Sequence, residues 1–165
     1  MSLMMKRTSV RKYKTDPISD DIVNQLLRSA MQAPSANNQQ PWEFVVIRDI
    51  ETKRRLSQVS RGAWMLEDAP LCITVIMRET EKSPIMAPQD CAACVQNILL
   101  EAVNLGLGAV WIGVYPIQER TQKVNEILNI TNNTAFANIA IGYPFEDKTV
   151  VERFDSSRVH FEKVQ

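Results

Sequence analysis

Helical and extended segments alternate along this chain of 165 residues. By itself that alternation predicts an α/β domain with a doubly wound, parallel sheet. Two further observations support a layered domain. The run Leu71–Met77 is apolar at nearly every position, the pattern of a central strand covered on both faces. Hydrophobic residues make up 45% of the chain and charged residues 23%, enough for one sizeable core and an ordinary water-facing surface.

Residues 7–13, Arg7-Thr8-Ser9-Val10-Arg11-Lys12-Tyr13, come first. Alternate residues of an extended chain share a side, so Arg7, Ser9 and Arg11 would project together. Two guanidiniums and a hydroxyl suit a phosphate or an electron-rich ring edge; the plainer alternative is a basic, solvated terminus. Ser19 then reads as an N-cap with Asp20 and Asp21 in the first turn, and Ile22, Val23, Leu26, Leu27 and Ala30 recur at helical spacing. This helix should stop before Pro34 and deliver a loop, Ala33-Pro34-Ser35-Ala36-Asn37-Asn38-Gln39-Gln40-Pro41-Trp42. The two prolines predict extended backbone there. The four amides between them both donate and accept hydrogen bonds, which suits a planar ligand with alternating donors and acceptors on its edge, as on the pyrimidine edge of a flavin. A polar surface loop leading into a strand is the alternative.

Residues 42–48 are rich in aromatic and β-branched side chains and predict a first strand. Residues 52–59 predict a short helix, and Leu71–Met77 the second, central strand. Residues 78–88 carry charges and two prolines and read as a loop lying over the surface, in a position to cover a site. The longest helical signal is 89–105. Its Ala92, Ala93, Val95, Ile98, Leu99, Leu100, Ala102, Val103 and Leu105 cover more than one stripe, so burial on several sides is expected, with a second subunit as a natural source. Gly106 and Gly108 end it. Residues 109–114 form the third strand, Gln118–Leu128 an amphipathic helix closed by Asn129, and residues 134–141 the fourth strand. The tail, residues 145–165, carries Arg153, Arg158 and His160 but too little apolar material for its own core, and is expected to lie across another surface such as a partner's. There are no repeats or linkers, so residues 1–165 read as a single domain.

Nineteen basic residues balance nineteen acidic ones, which gives no global attraction to nucleic acid or an anionic membrane. No apolar run approaches the roughly 20 residues of a membrane span. Three cysteines without a secretory signal point to a reducing compartment, hence a cytoplasmic protein. With one histidine, His160, a Ser-His or Cys-His hydrolase or a His-built metal site is disfavoured. Gly106-Leu107-Gly108 precedes a strand, whereas a dinucleotide fingerprint follows one and opens a helix, so no such site is assigned there. Cys91-Ala92-Ala93-Cys94 has the spacing of a redox dithiol, but its apolar flanks favour two small packing residues. Trp111 is by default a core aromatic.

The four segments 7–13, 33–42, 106–113 and 141–144 (Ile141-Gly142-Tyr143-Pro144), in this order and spacing, resemble the nitroreductase family of flavoproteins in its short members, along nearly the whole chain. The resemblance replaces the parallel sheet with an α+β fold: a homodimeric, three-layer α/β/α sandwich around a mixed, mostly antiparallel sheet. It implies that Arg7, Thr8, Ser9 and Arg11 grip FMN, with Arg7 and Ser9 at the phosphate and Arg11 at the N1/O2 edge of the ring. It implies that Pro34, Ser35, Ala36 and Asn38 reach the flavin of the other subunit. Trp111, Ile112 and Gly113 would lie along the ring with a backbone N–H near N5, and Arg153 would be a late phosphate ligand. The family often has lysine two residues before that arginine, where this chain has Val151. No side-chain acid or base and no metal is required. The expected activity is transfer of hydride from NADH or NADPH through FMN to a small-molecule acceptor such as a nitroaromatic or a quinone, by a ping-pong mechanism. The alternatives are specialised flavin chemistry on the same scaffold, either flavin fragmentation or reductive dehalogenation, and a flavin-binding protein without turnover.

Overall fold

A computed structural model describes residues 2–146 and 149–164. Four strands form one sheet: β1 (Trp42–Ile47), β2 (Leu71–Met77), β3 (Gly108–Gly113) and β4 (Thr134–Gly142). Their order is β1-β2-β4-β3, and every neighbouring pair is antiparallel. The parallel sheet suggested by alternation is therefore not formed. A helix between two strands fixes only that the chain leaves the sheet and returns; strand direction is decided by pairing. Among the described residues the one parallel pairing is an isolated bridge between Ser9 and Ala109.

Helices cover both faces, giving three layers. Helices α2 (Asp20–Met31) and α4 (Ala87–Asn104) bury Leu26, Ala30, Cys94, Val95, Ile98 and Ala102 against Ile73, Val75, Ile139 and Ile141. Helices α3 (Ile50–Ser57) and α5 (Gln118–Leu128) and the turn Arg61–Leu66 bury Leu56, Val124, Met65 and Leu66 against Cys72, Val110, Ile112 and Ala140. Adjacent residues of β2 thus serve opposite layers, as the pleat requires, which is why this strand is apolar throughout.

Local signals set the element ends. Ser19 caps α2 by accepting from the Ile22 N–H at 3.4 Å. Asn129 takes the left-handed conformation that ends α5. Two helices start two residues earlier than the periodicity indicates. Asp49 caps α3 by accepting from the Thr52 N–H at 2.7 Å, and α4 absorbs Ala87 and Pro88, proline being tolerated in a first turn. One-turn elements at Leu3–Lys6 (α1) and Pro84–Met86 are too short to leave a periodic signal.

All three cysteines are free and buried. Burial pushes the Cys72 and Cys91 thiols up to about 12 and Cys94 higher still, so the Cys91–Cys94 pair lacks the thiolate that a redox dithiol needs. Ellman's reagent is therefore expected to find no reactive thiol in the native protein at pH 8 and three after denaturation. A rapidly reacting native thiol would contradict the packing role. Among the described residues no helix is long and apolar enough to cross a membrane.

Candidate functional site

Residues 7–13 run as a strap over one end of the sheet. The Val10 N–H donates to Ala109 O at 3.1 Å and the Lys14 N–H to Tyr143 O at 2.8 Å. The Tyr13 hydroxyl lies 2.6 Å from Val10 O and 3.1 Å from Ala140 O, tying the strap to itself and to β4. Two glycines make the close approach possible. A Cβ on Gly108 would lie 2.6 Å from Val10 Cβ, and one on Gly142 2.9 Å from Tyr13 Cβ. With Val10 and Tyr13 buried, Ser9 stays half-buried and Arg11 exposed.

Arg7 and Thr8 line a cleft of about 300 Å³ whose opposite wall is residues 149–154, including Arg153. The fold thus brings together cationic groups from the two ends of the chain. Among the described residues neither Arg7 nor Arg153 forms an ion pair. The Glu152 carboxylate in the same wall accepts the backbone N–H groups of Arg153 and Phe154 at 2.9 and 3.0 Å. Ser9 and Arg11 do not line this cleft. Val151 does, and presents an exposed apolar side chain there.

The open edge of β3 continues from the strap. The Val114 N–H donates to Phe136 O at 3.3 Å, so by the antiparallel alternation Ile112 and Val110 also bond toward β4, while the backbone groups of Trp111 and Gly113 face away from the sheet. The Ile112 side chain is in the core; Trp111 and Gly113 are the accessible members of the trio. Nothing lies within 4 Å of the position a Gly113 Cβ would take. Arg120, in the first turn of α5, donates to Gly113 O at 3.1 Å. Trp111 and Tyr115 both pack on Phe136, with ring centroids 5.9 Å apart in each pair.

The amide loop departs from the extended backbone expected of it. Residues Ala36–Asn38 form a one-turn helix, and Asn37, Asn38 and Gln40 have φ of 51°, 52° and 47°. Proline restricts only itself and its predecessor; asparagine tolerates the left-handed region, and local side-chain bonds reward the coil. Ser35 Oγ accepts from the Gln40 N–H at 3.0 Å, and Gln40 Nε2 donates to Asn38 Oδ1 at 3.2 Å. Pro34 and Asn38 are exposed, Ser35 and Ala36 half-buried. This loop enters β1, the edge strand opposite β3. Three strand spacings of roughly 4.8 Å separate the two edges, so residues 34–38 adjoin one edge of the sheet and residues 111–113 form the other.

Two participants escaped sequence reasoning. Asp90 accepts from the loop's Ala36 N–H and from Gln39, and Arg120 holds Gly113 O. An acid or an arginine in a helix's first turn is too common to single out, and Asp90 lies far in sequence from the loop it holds.

Comparison with known proteins gives consistent results. A family model described as "Nitroreductase family" matches residues 4–71 and 61–143. An Archaeoglobus fulgidus protein named "Putative NADH dehydrogenase/NAD(P)H nitroreductase" is 40% identical over 169 aligned residues, covering 99% of this chain and 97% of that protein. The structure of a "Putative NADH Oxidase" from Clostridium acetobutylicum matches with a TM-score of 0.95 at 44% identity, covering 99% of this chain and 100% of that one. An "FMN-dependent Nitroreductase" from Clostridium difficile R20291 matches with a TM-score of 0.91 at 30% identity, covering 98% of each chain.

Proposed function

The chain belongs to the nitroreductase family, and from that premise we propose that it is an FMN-dependent oxidoreductase. It takes reducing equivalents from NADH or NADPH and delivers them to a small-molecule acceptor such as a nitroaromatic or a quinone. The observation that carries this reading is the cleft in which Arg7, Thr8 and Arg153 converge, on a strap that bridges β3 at Ser9 and Ala109. Two guanidiniums and a hydroxyl match the donor needs of a phosphomonoester, and the outward amides of Trp111 and Gly113 match the polar edge of a flat heterocycle.

When bound, FMN supplies reversible hydride transfer at N5; the chain supplies position, charge and exclusion of water. Arg7, Thr8 and Arg153, which line the cleft, would hold the phosphate end, with Ser9 next to them on the strap but outside the cleft. Arg11, exposed at the end of the strap, offers positive charge to the N1/O2 edge. Gly113 offers a backbone N–H toward N5 without a side chain to keep the ring away. Because residues 34–38 lie across the sheet from this edge, they serve the flavin of a second copy, and the working form is a homodimer. Three unpaired thiols support a reducing, cytoplasmic setting.

The direct test is to denature the purified protein and chromatograph what it releases. A yellow dimer by light scattering that releases FMN is expected; FAD alone, or a monomer holding stoichiometric flavin, would overturn the reading.

The kinetics follow from steric access. Hydride transfer needs an approach of roughly 3–3.5 Å. With residues 111–113 along one side of the ring and the second subunit's loop at its edge, one open face serves both substrates. Ping-pong turnover is expected, with parallel double-reciprocal lines at several fixed acceptor concentrations. Intersecting lines would mean that donor and acceptor occupy the pocket together.

A further inference from the structure

We propose that Asp90 is a positioning residue: with Gln39 it latches the loop of residues 34–40 in the left-handed conformation that presents Pro34, Ser35, Ala36 and Asn38 to the second subunit's flavin. The inference rests on the reading that this loop meets a flavin.

The loop's backbone is not held by its local bonds alone. Three non-glycine residues have φ near 50°; asparagine tolerates this, whereas Gln40, of a type that rarely adopts it, is held by Ser35 and Asn38 within the loop and by Arg78, whose guanidinium donates to Gln40 O at 3.3 Å. Such backbone persists where the surroundings over-determine it. Residues 36–39 are tied to the rest of the fold by Asp90 and Ser83, with the Gln39 amide between them. Asp90 Oδ1 accepts from the Ala36 N–H at 3.0 Å and Oδ2 accepts from Gln39 Nε2 at 2.7 Å. The same Gln39 amide donates to Ser83 O at 2.9 Å and accepts from the Ser83 N–H at 3.1 Å. Asn37 Nδ2 donates to Ser83 Oγ at 2.7 Å. Asp90 and Gln39 are only 7% and 8% exposed, so these bonds do not compete with bulk water.

The anchor point is rigid. Asp90 sits in the first turn of α4, the helix that fills one layer of the core, where the helix dipole favours negative charge. Among the described residues it forms no ion pair, so both of its oxygens serve the loop. The requirement is for an acceptor on both atoms. Asparagine at this position would set an NH2 against either the Ala36 N–H or the Gln39 amide and leave a buried donor without a partner.

The test measures FMN affinity of the full-length dimer by fluorescence titration in four variants. Asp90→Asn should raise the dissociation constant about tenfold or more. The pair Asp90→Asn with Gln39→Ala closes a double-mutant cycle: because both residues act through one contact, the pair should lose clearly less than the sum of the two single losses, which independent support of the fold would not give. Asn38→Asp, which keeps the tolerance for left-handed backbone but removes an exposed donor, reports separately on whether the loop meets the flavin. Gln39→Ala alone removes the amide that bridges Asp90 and Ser83 and reads the same latch if Asp90→Asn does not fold; a loss like that expected of Asp90→Asn supports the latch, and an unchanged constant overturns it. Weakened binding in Asn38→Asp with normal binding in Asp90→Asn overturns the latch and leaves the loop's role standing. Normal binding in both overturns the loop's role and the latch with it. Fully additive losses in Asp90→Asn and Gln39→Ala also overturn the latch.

Discussion

Gly108→Ala is expected to destabilise the protein by about 1–3 kcal/mol, the usual cost of overpacking a filled site, and to weaken FMN binding at the same time. The added Cβ would lie 2.6 Å from Val10 Cβ and 2.7 Å from both of its methyl carbons. Val10 is buried, and a β-branched side chain has little rotameric freedom with which to step aside. The strap must therefore lift, giving up the Val10 N–H bond to Ala109 O and the Ser9–Ala109 bridge. Arg7 and Thr8, carried on the same strap, would leave the wall of the cleft. Urea unfolding gives the first effect and flavin titration the second. Trimming the obstruction with Val10→Ala in the same chain should restore part of the flavin affinity. A Gly108→Ala protein with unchanged stability and affinity would show that the strap is not clamped where it lies.

Arg7→Ala is expected to act on binding with little effect on folding. Arg7 is half-buried in the cleft and forms no ion pair among the described residues, so its removal leaves no buried carboxylate unpaired. Surface substitutions of this kind shift stability by about 0.5 kcal/mol or less. Its guanidinium would instead donate to a phosphate, and a hydrogen bond to a charged group is worth roughly 1.5–3 kcal/mol, or about 10- to 150-fold in affinity. Titration of the apoprotein with FMN measures the loss. With riboflavin, which lacks the phosphate, the variant and the parent should bind alike; a similar loss with both ligands would place Arg7 away from the phosphate end, and no loss with either would return it to the solvated terminus.

Much of this site was legible in the residues, though not as an arrangement. The strap and the amide loop each have a chemistry readable from composition, whereas Trp111, Ile112 and Gly113 read as an ordinary strand and only the resemblance assigned them to a ring. Their order along the chain is specific enough to resemble one family. The convergence of Arg7 with Arg153 came only through the resemblance, because in composition each is an ordinary charged residue until the fold closes the cleft between them. The loop's coil was misread for a related reason. Pro34 and Pro41 speak only for their own φ and the residue before each, whereas Asp90 and Ser83, remote in sequence, hold what lies between.

What the sequence by itself determined is local: the cap at Ser19, the stop at Asn129, the helical spacing of α2 and α4, and the apolar run of β2. These follow from interactions within a turn or two of backbone, whose period and capping chemistry are written in neighbouring residues. What only the tertiary structure decided is the antiparallel order β1-β2-β4-β3, the seating of Val10 over Gly108, and the separation of the loop from the β3 edge. Each depends on which strand finds which partner. That choice is made by hydrogen bonding and burial summed across the whole sheet, and the same alternating string of helices and strands is compatible with a parallel or an antiparallel outcome.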